Sequence, residues 1–90
     1  MNFIVKLKDF KLNVCVGNKV KEMRTTLDMT EEQLAQKVGT SMKNISRYES
    51  GITPIPVNIF FLILRTFNVS AIELLSDYFS DLDNKRPLIH

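Results

Sequence analysis

Cysteine and histidine are nearly missing from this chain: Cys15 and His90 are the sole examples. One thiol cannot build an internal disulfide framework, and one Cys with one His falls short of the four ligands of a usual zinc site. A reducing, cytoplasmic setting is expected. Net charge is also small, twelve Lys/Arg against ten Asp/Glu for +2, and by itself says little about partners. Its distribution says more: residues 1–50 hold nine basic against six acidic residues, and residues 51–90 three against four. Long apolar runs are lacking as well. None approaches the roughly 20 residues of a membrane span, and Lys6, Lys8 and Asp9 stand where a signal peptide needs its apolar segment. No internal repeat or low-complexity tract is present. Ninety residues at 44% hydrophobic content support one domain with a modest core.

The few glycines and prolines, three of each, punctuate what remains. The stretch from Thr30 to Gly51, TEEQLAQKVGTSMKNISRYESG, reads as two short helices joined at Gly39. Thr30 with Gln33 three residues on is the capping-box pattern, and Met29 with Leu34 occupies the staple positions. Glu31 and Glu32 suit the positive end of the helix dipole, while Leu34, Ala35 and Val38 share a face. Gly39 supplies the turn, and Ser41 can cap a second helix that ends near Gly51. Ile45 and Tyr48 face inward. Met42, Lys43, Asn44 and Arg47 face outward and are mostly donors of the kind that reach bases and phosphates. The stretch is a helix-turn-helix.

Before it, residues 1–12 alternate partly (Phe3, Val5 and Leu7 against Lys6 and Lys8), a short-strand or arm pattern. Asn13 can then cap a helix carrying Val16, Val20, Met23 and Leu27 inward and Asn18, Lys19, Lys21 and Glu22 outward. Gly17 weakens it by about 1 kcal/mol relative to Ala. Arg24 follows the inward Met23, so a partly buried Arg24 would need an acidic partner. After Gly51, ITPIPV makes a stiff connector. The next helix starts near Val57 or Asn58 and has more apolar residues than one stripe can use: Phe60, Phe61, Ile63, Leu64 and Phe67 can supply the core. Ile55, Ile59 and Leu62 are left as surplus apolar surface. Asn68 ends it, and Ser70 caps a last helix with Ile72, Leu75, Phe79 and Leu82 on one side and Leu74 and Tyr78 beside them. An all-α chain of five helices results, divided into an arm at 1–12, a domain at 13–82 and a flexible tail at 83–90.

These residues, with VGNKVKEMR before the motif and FNVSAIELL after it, resemble the phage-repressor and Cro-type helix-turn-helix domain, also called the xenobiotic-response-element family. The resemblance runs without gaps from about Val16 to Leu75, two thirds of the chain, and implies a compact lambda-repressor-like fold. It implies that a helix at about 41–49 enters the major groove of double-stranded DNA, with Met42, Lys43 and Arg47 on base edges. Ser41 and Asn44, with Lys19 from the first helix, would serve as backbone or accessory contacts. It also implies a structural ion pair between Arg24 and Glu49. The chain departs from the family at Glu31, where many relatives carry Gln, at the uncharged Ser50, Gly51, Ile52 and Thr53, and at Ile59 and Leu62, where relatives are polar. A transcriptional regulator is therefore expected, a repressor acting as a homodimer in the bacterial nucleoid, with Ile55, Ile59 and Leu62 as dimer face. The alternative is a protein-interaction module of antirepressor or antitoxin type. No enzyme activity, cofactor, metal or small-molecule effector is expected within the chain, since Cys15 and His90 lack catalytic company and the acidic pairs read as helix-end solvation.

Overall fold

The computed structural model describes residues 2–85, with side chains described for residues 10–80. Five helices follow one another: α1 (Asn2–Thr26), α2 (Glu31–Val38), α3 (Met42–Ser50), α4 (Val57–Phe67) and α5 (Ala71–Lys85). Each gives a fully buried aliphatic side chain to a common centre, Val20, Leu34, Ile45, Ile63 and Leu74 in that order, and α2 adds Val38. Val16, Ala35, Tyr48, Ile59, Leu64 and Phe67 close around them. Among the described residues no single helix is long and apolar enough to cross a membrane.

The helix ends follow their local chemistry. The Gln33 amide donates to Thr30 Oγ1 at 3.0 Å, and the Thr30 N–H donates to Gln33 Oε1 at 2.8 Å, completing the box at the start of α2. Gly39 ends α2 in the left-handed conformation at φ 75°, and Gly51 ends α3 at φ 80°. Ser41 Oγ accepts from the Asn44 N–H at 3.1 Å. A second box stands at α5, where Ser70 N–H donates to Glu73 Oε1 at 2.7 Å and the Glu73 N–H donates to Ser70 Oγ at 3.3 Å.

Several expectations change. The strand or arm at residues 1–12 is instead the first part of α1, and Asn13 lies inside that helix rather than capping it. A lone strand would leave its backbone donors and acceptors without a ladder, whereas a helix pairs them internally. Nothing between Asn2 and Val16 is glycine or proline to stop it, and Phe3, Leu7, Phe10 and Val14 recur at helical spacing. The side chains of Phe3, Val5 and Leu7 lie outside the described set. At the far end α5 reaches Lys85, past the expected limit at Leu82, and residues 86–90 of the tail lie outside the described residues.

The phase of the apolar helices also differs. Ile59 is 8% exposed and belongs to the core, whereas Phe61 is 56% exposed. The inward stripe of α4 is Ile59, Ile63, Leu64 and Phe67, and a composition this apolar gives spacing little power to choose among phases. On α5, Leu74 is buried while Ile72 and Phe79 lie outside. Leu27 falls beyond the end of α1 and is exposed.

Candidate nucleic-acid interface

The outer face of α3 is built by what holds its inner face. Ile45, Tyr48 and Glu49 are buried, so at 3.6 residues per turn Met42, Lys43, Ser46 and Arg47 occupy an outward arc of about 140°. All four are exposed. Ser46 was not singled out from the sequence; its place between Met42 and Arg47 follows once Tyr48 and Glu49 are both fixed inward. Asn44 lies beyond the edge of this arc, and its Nδ2 donates to Thr40 Oγ1 at 2.9 Å. Ser41 and Asn44 therefore flank the face at its N-terminal end.

Beneath α3, Arg24 and Glu49 meet in an almost buried, two-pronged pair. Arg24 Nε donates to Glu49 Oε2 at 2.6 Å and Nη2 to Oε1 at 3.0 Å. A third donor, Nη1, reaches the Met29 carbonyl at 2.7 Å. One guanidinium thus joins α1, the turn after it and the end of α3, in the planar geometry that arginine offers a carboxylate. The hydrogen bonding to Glu49 raises the Arg24 pKa above its ordinary value, outweighing burial.

Gly17 shows why α1 and α3 can lie so close. A Cβ there would come within 2.3 Å of the Tyr48 carbonyl oxygen and 2.7 Å of that of Glu49. What looked from the sequence like a weak point in α1 is the place where α3 rests on it. A Cβ on Gly51 would likewise meet Val14 at 2.7 Å.

Alongside Met42 runs an open cleft lined by Lys21, Arg24 and Thr25 of α1, Asp28 to Thr30 of the turn, and Glu31 and Glu32 of α2. Glu31 is half-buried in it. Partial burial is the main cause raising its pKa above its ordinary value; a hydrogen bond and repulsion from Glu49 add to the rise, while Arg24 and Lys21 oppose it.

Lys21, facing this cleft, is the α1 lysine beside α3. Lys19 is not. It sits two residues, about 200°, around the helix from Gly17, and its Nζ lies 3.5 Å from Asp77 Oδ2 of α5 and 3.7 Å from Glu22 Oε1. The sequence grouped both lysines as outward, and only the position of α3 against Gly17 separates them.

The expected dimer face does not form one surface. Ile59 is inside, and Leu62 lies toward Lys37 of α2 with Arg65 and Thr66. Ile55 instead lines a half-open apolar groove of about 230 Å³ with Leu12, Val16, Val57, Phe60 and Leu75. Val57 on its wall is 70% exposed, and the Phe61 ring stands 6.0 Å from that of Phe60.

Residues 20–74 match the family model described as helix-turn-helix. The chain is similar to Antitoxin PezA of Streptococcus pneumoniae, 32% identical over 62 residues that cover 69% of this chain and 39% of that protein. It is also similar to an uncharacterized transcriptional regulator in the ATPase CF(0) region of Rhodospirillum rubrum, 32% identical over 72 residues that cover 80% of this chain and 63% of that protein. The chain thus spans less than two thirds of the length of either relative.

Proposed function

We propose that this chain, which belongs to the helix-turn-helix family, reads double-stranded DNA with α3 and acts as a transcriptional repressor at the nucleoid. The observation that carries the reading is the exposed arc of Met42, Lys43, Ser46 and Arg47 on a helix whose other side is locked to the body through Gly17, Ile45, Tyr48 and the Arg24–Glu49 pair. Rigid placement matters because a base contact needs its donor held in register, and backbone contacts supply that register. Arg47 offers the two-pronged contact that suits guanine, Lys43 a second donor and Met42 an apolar contact for a thymine methyl. Ser41 and Asn44 at one end, with Lys21 across the cleft, are the backbone contacts; Lys21 replaces Lys19 in that role.

One short helix reads few base pairs, so the repressor works as a homodimer on a two-fold site with recognition helices about 34 Å apart. The groove of Leu12, Ile55, Val57, Phe60 and Leu75, flanked by exposed Phe61, is the dimer face, keeping Ile55 of the expected set and leaving out Ile59 and Leu62.

A second reading, an antitoxin-like interaction module, is favoured by the similarity to Antitoxin PezA and by the three carboxylates, Asp28, Glu31 and Glu32, that line the cleft beside Met42. Affinity for mixed genomic fragments across a salt series separates the two. A DNA reader loses affinity steeply as salt rises, in proportion to the phosphates it neutralises. A flat, weak response would leave the interaction module.

A further inference from the structure

The cleft beside Met42 collects an unusual set of charges for a surface that meets phosphates. Lys21 and Arg24 face it from α1, Asp28 from the turn, and Glu31 and Glu32 from α2. Glu49 of α3 acts on Glu31 from behind. Counted as ionised, that is two cations against four carboxylates. The cations are not equally available: Arg24 already gives Nε and Nη2 to Glu49 and Nη1 to the Met29 carbonyl. Lys21 alone remains to draw a phosphate in.

Among the carboxylates, Glu32 is exposed and screened by solvent. Glu49 has its two guanidinium bonds. Glu31 is half-buried in the cleft, and the Glu49 carboxylate that repels it is already bonded to Arg24. Ionised, it repels both Glu49 and an approaching phosphate. Protonated, it becomes a donor to Glu49 and withdraws one negative charge from the cleft.

We propose that Glu31 is a proton-linked brake on DNA binding: seating a phosphate beside Lys21 is coupled to uptake of one proton by Glu31. This rests on the DNA-reading function above. Its direction follows from the charges. Phosphate favours the neutral carboxyl, so affinity falls as pH rises past the point where free Glu31 ionises. For one linked proton the fall is at most about ten-fold per pH unit. Partial burial in the cleft moves this window up from the ordinary value of a glutamate.

The test measures affinity for the DNA sequence selected by the wild-type protein, at fixed ionic strength from about pH 5 to 8, for wild type, Glu31→Gln and Glu32→Gln. Wild-type affinity should weaken with pH through the Glu31 window. Glu31→Gln should bind more tightly near neutrality and lose that part of the slope. Glu32→Gln, which removes the same charge from an exposed position, should keep the wild-type slope. Parallel curves for wild type and Glu31→Gln, or equal flattening by Glu32→Gln, overturn the brake and leave DNA reading intact. Failure of all three proteins to bind any selected duplex at any pH overturns the DNA reading and the brake with it.

Discussion

At the scale of single residues, Arg24, Gly17 and Glu31 decide how α3 is held. Replacing Arg24 by Met removes three donors and leaves Glu49 buried without its counter-charge, which should cost about 3–5 kcal/mol. The double variant Arg24→Met/Glu49→Leu should recover much of that loss. Denaturant unfolding of the two proteins checks both outcomes; equal stability of the single and double variants would show that the buried charge is not the cause. Gly17→Ala puts a methyl on two carbonyl oxygens of α3. It should destabilise by about 1–3 kcal/mol, as overpacking does, despite the better helix propensity of Ala. A rise in melting temperature would contradict the close approach.

Glu31 gives a stability prediction as well. Its folded pKa stands above the unfolded one, so the native state binds the extra proton and gains stability below about pH 4.3, the unfolded value. That gain is lost as pH rises through the raised folded value. The melting temperature of Glu31→Gln should therefore lack this decline and at neutral pH equal or exceed that of wild type. A lower melting temperature for Glu31→Gln at neutral pH would contradict the assignment.

At the scale of elements, the ends of α2 and α3 could be read directly from the sequence because their determinants are local. Thr30 with Gln33, Gly39, Ser41 and Gly51 act within a few residues of themselves. Ser41→Ala should cost about 1 kcal/mol through the lost Asn44 N–H bond, measured by thermal unfolding. The Arg24 and Glu49 side chains could also be brought together in advance, by register with relatives.

What could not be read is what depends on a partner element. The phase of α4 needed the position of α2, which packs against it, to choose Ile59 over Phe61. The separation of Lys21 from Lys19 needed α3 and α5 in place. The alternation in residues 1–12 suited a strand, but a strand requires a neighbour, and α1 simply continues backward to Asn2. Gly17 was recognised as costly to a helix; its reason is a distant carbonyl, invisible to local pattern.

At the scale of the whole molecule, the basic surplus of the first fifty residues lies with the helices that bear Lys21, Lys43 and Arg47. Apolar surface is left on α4 and α5 around the groove beside Leu12. Under the proposed function the two surfaces would divide the work, one meeting phosphate and bases, the other a second copy. Val57→Asp, at a side chain exposed in the single chain, should leave the fold intact while lowering the sedimentation mass and weakening DNA binding together. Unchanged mass and affinity would remove the groove from the dimer.

The central claim is that α3 reads sequence through Arg47 and its neighbours. Selection of bound duplexes from a random pool, run in parallel with wild type and Arg47→Ala, tests it most directly. Wild type should return a two-fold site with half-sites about one helical turn apart. Arg47→Ala should lose preference at one position of each half-site, a discrimination of about 1–3 kcal/mol, before it loses binding altogether. Identical preferences from the two proteins, or no preference from wild type, would contradict the account.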